Sequence, residues 1–504
     1  MINIIGKRSF LLVSRYSQHV RKMSLVKNLA FVNNKWVAAT SGKTFEVTNP
    51  ANGSVLGQVP DMDTQDTEEA IQVAYDAFQS WEFTTAKERA LHLRNWFNLL
   101  EENKEEIAKI MTAESGKPLA EAAGEVAYGN GFIEWYSEEA RRIHGEVISS
   151  PIHSKEMMLI RKPIGVAALI TPWNFPIAMI TRKAGAALAA GCTCVVKPAE
   201  DTPLTALAIA ALAEKAGIPK GVFNVVTCSR RNAADVGKLL CQSPLVAGLS
   251  FTGSTNIGKL LYEQCASTVK RLSLELGGNA PFIVFESADL DAAVKGTMAC
   301  KFRNCGQTCV SANRLFIQES IFDQFVSKLE ETMRGLKVGD GAQPGVTQGP
   351  LINDAQASKV NDLVQDAIKK GAKVHLGGKP ALDKGPRFFE PTLLTDVDHS
   401  MRMYHEEIFG PVAVCIPFKT EEEVLAIANG TRSGLAGYFF SNDLPQVWRV
   451  AKRLETGMVG INEGIISTPE AAFGGIKESG IGREGSHYGI EEYSYIKYLC
   501  FGNL

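Results

Sequence analysis

Cysteine and histidine are both scarce, with ten and eight copies in 504 residues. At that dilution no disulfide framework can carry the fold, and the usage fits a reducing compartment. No C-x-x-C pair occurs, and no histidine stands at a ligand spacing from the crowded Cys300, Cys305 and Cys309, which argues against a zinc centre. An excess of either charge is missing too. The net charge is −2, with 21% charged residues, which gives no electrostatic case for a nucleic-acid partner. No stretch approaches the roughly 20 apolar residues of a membrane span. The longest candidate, Ala184 to Val196, is bracketed by Lys183 and Lys197. Acidic residues are absent until Glu46, whereas Lys7, Arg8, Arg15, Arg21, Lys22 and Lys27 alternate with serines. A basic, Ser-containing, acid-free leader reads as a mitochondrial transit peptide over residues 1–25, which places the protein in the matrix.

What is present is the composition of a globular chain, 45% hydrophobic, and too long for one core, so two or three domains are expected. Residues 65–145 place apolar side chains at three- and four-residue spacing, which predicts helices. From about 160 the pattern alternates. "VAALIT", "CTCVVKP", "VFNVVT" and "VAGLSFTG" read as buried strands, separated by helices such as "FPIAMITRKAGAALAAG". That alternation predicts a doubly wound parallel α/β sheet, which binds ligands at the carboxyl ends of its strands. A second α/β set follows from about 280, and "EYSYIKYLCFG" is a closing strand whose partner lies in this chain or another subunit.

Several motifs fall at those strand ends. "GIGREG" (480–485) matches a dinucleotide fingerprint in letters only, because no strand precedes it and no helix follows; a turn-rich loop is expected. "SFTGSTNIG" follows a strand and opens a helix, so Ser254 either caps the helix or meets a phosphate there. Lys197 and Glu200 of "VVKPAE" project either toward a ribose or into a solvated turn. Glu275 of "LSLELGG" lies in an apolar run. It is either a base of raised proton affinity or a strand-end carboxylate reaching water. Cys300 continues a helical apolar pattern and reads as core. Cys309, flanked by Gln307 and Thr308, is the cysteine favoured as a nucleophile, against the plainer reading of a small buried side chain.

Taken together, "TPWNFP" (171–176), "KPAE" (197–200), "FTGST" (251–255), "LELGG" (274–278), "GQTC" (306–309), "EEIFGPV" (406–412) and "FGG" (473–475) resemble the aldehyde dehydrogenase superfamily, in its order and spacing, over nearly the whole chain after the leader. "MITRKAGAALAAGCT", "KFRNCGQTC" and "SGIGREGSHYGIEEYSYIKYLC" resemble its mitochondrial, NAD-linked members that oxidise succinate semialdehyde to succinate in GABA degradation.

The resemblance implies an α/β fold with a Rossmann-like cofactor domain (26–145 and 165–277), a second α/β catalytic domain (278–472) and a small oligomerisation segment (146–164 and 486–504). It implies Cys309 as nucleophile, Asn174 as oxyanion donor and Glu275 as the base for thioester hydrolysis. It implies NAD as cofactor, held by Thr171, Trp173, Lys197, Glu200, Gly253, Ser254, Glu407 and Phe409. It implies a small aldehyde with a terminal carboxylate as partner, clamped by Arg182, Arg303 and Ser467, and a homodimer or homotetramer. A glutarate-semialdehyde or broader aliphatic aldehyde dehydrogenase, and a catalytically silent protein on the same fold, are the alternatives. One position departs from the mammalian-type pattern. Ser311 stands where a second cysteine forms a redox pair with the nucleophile, and Cys305 is an unusual addition.

Overall fold

The computed structural model describes residues 24–502. The leader read over residues 1–25 lies almost wholly outside that range. Two large α/β sheets form the body of the described chain. The first has eight strands in the order Lys35–Val37, Ala30–Val32, Phe223–Val225, Thr193–Lys197, Val166–Ile170, Val246–Thr252, Arg271–Glu275 and Gly480–Ile481. Its centre is parallel, with Ile170 opposite both Lys197 and Phe251, and Thr252 opposite Glu275. Four carboxyl ends therefore share one edge, and the chain leaves each of them through a site motif.

The central strands are buried on both faces, as their unbroken apolar runs require. Helix Ala178–Ala190 is also buried along its whole length and closes at Gly191, which takes the left-handed conformation. Its small residues let it approach helix Leu119–Glu139 closely. A Cβ at Gly185 would lie 2.9 Å from the Tyr136 ring. That close packing holds two long cationic side chains, Arg182 and Lys183, in the interior.

The second sheet has seven strands in the order Lys373–Leu376, Thr392–Thr395, Val412–Phe418, Arg314–Gln318, Pro281–Val284, Ala436–Phe440 and Met458–Ile461. Only its first pair is antiparallel. The closing strand Ser494–Gly502 pairs within the chain, antiparallel to Lys155–Pro163 and in register from Ser494 opposite Pro163 to Gly502 opposite Lys155. Glu146–Ile148 completes this three-stranded sheet.

The 480–485 segment is the loop its glycines suggest, with φ of +150° at Gly480, +90° at Gly482 and +73° at Gly485. It also does more than turn. Gly480 and Ile481 add an antiparallel edge beside Glu275 and Leu274. The helical region is interrupted at Asn103, which separates helices Ala86–Glu102 and Lys104–Ser115. Among the described residues no helix is long and apolar enough to cross a membrane.

Candidate active site

Cys309 follows helix Leu290–Lys301 through a turn that is unusual for its residues. Asn304 and Cys305 both adopt positive φ, at +52° and +57°. Such strain persists only where neighbours over-determine it. Here the Asn304 amide N–H donates to the Glu121 carboxylate at 3.0 Å, and Asn304 Nδ2 donates to the Asn174 carbonyl at 2.9 Å. Gly306, at φ +71°, passes so near the 406–412 loop that a Cβ would lie 2.1 Å from the Gly410 carbonyl. Lys117 Nζ donates to the same Asn174 carbonyl at 2.7 Å and pairs with buried Glu125.

The outcome is a half-buried thiol at the wall of a cleft. Burial pushes the Cys309 thiol up to about 12, against the pull of the Arg182 charge, so the resting form is the neutral thiol. Asn174 is buried, lines the same cleft and donates Nδ2 to the Gln307 carbonyl at 3.1 Å. Its amide carries a second N–H.

Glu275 ends its strand in the interior, at 2% exposure, and neither carboxylate oxygen has a hydrogen-bond partner among the described residues. Burial, reinforced by the Glu484 charge, holds its carboxyl well above the usual range, opposed by Arg182, Lys183 and Arg483. This carboxylate is thus buried rather than left at an exposed strand end.

A cleft of about 690 Å³ joins Cys309 and Asn174 to Trp173, Gly253, Ser254, Glu407 and Phe409. It continues into a second space of about 1600 Å³ that reaches Thr171, Lys197 and Glu200. Trp173 and Phe409 meet edge to face, 5.6 Å between ring centres. Glu407 accepts from the Gly278 N–H at 3.2 Å, and burial pushes its carboxyl up to about 7. Ser254 accepts from the Ile257 N–H at 3.4 Å, so it caps its own helix while also lining the cleft. Lys197 is buried, and its Nζ donates to the Pro198 carbonyl at 3.2 Å.

Arg303, Ser467 and Thr308 line a narrow crevice next to the Cys309 loop. The Arg303 guanidinium lies over the Phe175 ring at 5.1 Å. Arg182 is 1% exposed, lies over Phe473 at 4.6 Å and forms a buried ion pair with Glu484. Both arginines bear on one tyrosine, Tyr128, which packs against Phe175, Ala178 and Met179.

Tyr128, Lys183 and Glu484 were not singled out from the sequence. Glu484 lies inside the glycine-rich loop, where no local pattern marks it. Cys305 and Cys309 pack on opposite faces of the second sheet. Cys305 joins the cluster of Ile283, Phe285 and Phe316, and Cys309 contacts that of Phe282, Val284 and Leu315.

The chain is 56% identical to a mitochondrial succinate-semialdehyde dehydrogenase of Mus musculus over 481 residues, 95% of this chain and 91% of that one. It is 55% identical to an NADP(+) succinate-semialdehyde dehydrogenase of Escherichia coli strain K12 over 479 residues, 95% and 98% of the two chains. It superposes on the crystal structure of a Staphylococcus aureus betaine aldehyde dehydrogenase in complex with NAD+ at a TM-score of 0.93, with 34% identity and 97% of each chain covered. The aldehyde dehydrogenase family model matches residues 36–499, and the chain, an aldehyde dehydrogenase in fold and in the grouping of its motifs, belongs to that family.

Proposed function

We propose that this aldehyde dehydrogenase oxidises succinate semialdehyde to succinate with NAD and water, through covalent adducts on Cys309. The observation that carries the substrate is the pair of arginines, Arg182 and Arg303, converging on Tyr128 close to the Cys309 thiol. A carboxylate removed from water needs opposite charge or strong donors, and the two guanidiniums and the Ser467 hydroxyl supply them.

An aldehyde has no leaving group but hydride, so a nucleophile must first make it tetrahedral. The Cys309 thiol gives up its proton to water in the cleft as its sulfur attacks the carbonyl carbon, and the oxyanion that develops is met by the Asn174 amide and the Cys309 backbone N–H. The nicotinamide of NAD, when bound, supplies the acceptor for the departing hydride. The acyl group is left as a thioester on Cys309. Glu275, with no partner of its own and high proton affinity, takes the proton of the water that hydrolyses it.

The chemistry of the cleft suits a dinucleotide. Lys197 and Glu200 stand at one end, the N-terminus of helix Thr255–Cys265 in the middle and Glu407 at the other. A Cβ at Gly277 would reach within 3.0 Å of Glu407, so glycine keeps that carboxylate in place. Thr171, Trp173, Gly253 and Phe409 complete the binding surface. NAD is proposed over NADP because the Glu200 carboxylate accepts from ribose hydroxyls and repels a 2′-phosphate. The first sheet serves as the cofactor half and the second as the catalytic half. The three-stranded segment serves as the contact of a homo-oligomer, and the basic leader directs the enzyme to the mitochondrial matrix.

A panel of kcat/KM values tests the substrate. Succinate semialdehyde should exceed both butanal and glutarate semialdehyde. A preference for butanal would remove the carboxylate clamp from this account.

A further inference from the structure

Arg182 and Arg303 are not equivalent. Arg303 is half-buried and makes no ion pair among the described residues. Arg182 is buried, and its charge is already engaged by Glu484, itself 3% exposed. The other oxygen of Glu484 accepts from Lys183 Nζ, which also donates to Ser250 Oγ at 3.1 Å. One carboxylate thus serves two adjacent buried cations and leaves one positive charge uncompensated. The Nη2 of Arg182 has no hydrogen-bond partner among the described residues. The guanidinium acts on Tyr128, Glu275 and Cys309 beyond Glu484, so it stands at the meeting of clamp and reacting centre. The loop carrying Glu484 is fixed by a two-way backbone pairing with Phe473, at 2.7 and 2.8 Å, and Phe473 covers Arg182.

We propose that Glu484 is a positioning residue: it holds Arg182 at the substrate end of the cleft and balances the charge of that arginine against Glu275. This rests on the reading of Arg182 as a substrate contact and Glu275 as the base. Two consequences follow. Arg182 offers the substrate carboxylate directed N–H donors from a neutralised pair, while Arg303 brings the net charge. The proton affinity of Glu275 is set between opposing neighbours. Glu484 raises it, and Arg182, Lys183 and Arg483 lower it; the Cys309 thiol also faces it.

The test uses the full-length enzyme with Arg182→Met, Glu484→Gln and the double variant, each measured with succinate semialdehyde and with butanal across pH. The acid limb of butanal turnover should move up in Arg182→Met and down in Glu484→Gln. Each shift should be at least about one pH unit, because a unit charge within about 12 Å contributes about 1.4 kcal/mol or more at an effective dielectric near 20. In the double variant the limb should return toward the wild-type position, because the uncompensated charge is again that of Lys183. KM for succinate semialdehyde should rise about fivefold in Glu484→Gln, but Glu484→Gln should add nothing once Arg182 is gone.

Limbs that do not move, or a double variant that keeps the Arg182→Met limb, would overturn the charge balance. Additive KM effects would overturn the positioning. Glu275→Gln run alongside separates the underlying reading: a limb that persists there means that Glu275 is not the base, while the KM coupling still decides whether Glu484 positions Arg182.

Discussion

Replacing Arg303 by Ala tests the clamp where it is least entangled with the rest of the interior. Arg303 stacks on Phe175 and shares a narrow crevice with Ser467, and no internal carboxylate pairs with it among the described residues. Its loss breaks no ion pair, although the Arg303 charge also helps to keep the Glu121 carboxyl ionised, and the main cost appears when a substrate carboxylate arrives. A hydrogen bond to a charged group contributes about 1.5–3 kcal/mol. At 1.36 kcal/mol per tenfold, that is a loss of roughly 10- to 150-fold in kcat/KM for succinate semialdehyde. The loss should fall mainly on KM, because the clamp grips ground and transition states alike. Butanal has nothing to offer Arg303, so its kcat/KM should change by less than about threefold. Initial rates of NADH absorbance at limiting aldehyde measure both. Equal losses on the two substrates would refute the reasoning and make Arg303 a structural residue of the Cys309 turn.

Glu200→Ser should narrow the preference for NAD over NADP, measured as the ratio of kcat/KM for the two cofactors, and a wild-type preference for NADP would overturn the role given to Glu200. Gly306→Ala should abolish activity and lower Tm, because the added Cβ meets the Gly410 carbonyl in a residue already at positive φ; a variant with wild-type rate and melting temperature would show that this turn does not matter. Cys305→Ala should leave peroxide inactivation unchanged, since Cys305 and Cys309 pack on opposite faces of a sheet; protection by that substitution would contradict the geometry. Glu275 hydrolyses the thioester only when deprotonated, and its carboxyl is held well above the usual range by burial. Turnover should therefore rise with pH through an acid limb lying above pH 4.5, the ordinary carboxyl value.

The parts legible in the sequence were those written locally. A buried parallel strand followed by a short motif is contiguous in the chain, so Lys197, Ser254 and Glu275 could be placed at strand ends from apolar runs alone, whereas Asn174 came only from the family resemblance. The register then sets those ends on one edge. Cys309 was harder, since three cysteines share one stretch and only the polar flank separates them. The hairpins Ala30–Val37 and Thr44–Pro60 escaped notice because their short strands carry no clear alternation. Lys183 and Glu484 are 301 residues apart, and nothing in a local pattern brings a loop glutamate to a buried helix. The glycines of that loop announce a turn, and tertiary packing alone gives the turn its second task.

The central claim is that the acyl group passes through a thioester on Cys309 that Glu275 releases. It is tested most directly by quenching Glu275→Gln after a single turnover with succinate semialdehyde and NAD, then mapping peptides by mass spectrometry. The account predicts a burst of NADH close to one per active subunit, slow steady-state turnover, and a succinyl group on the peptide that carries Cys309. Full steady-state turnover by Glu275→Gln, or a burst with no acyl group on that peptide, would contradict it.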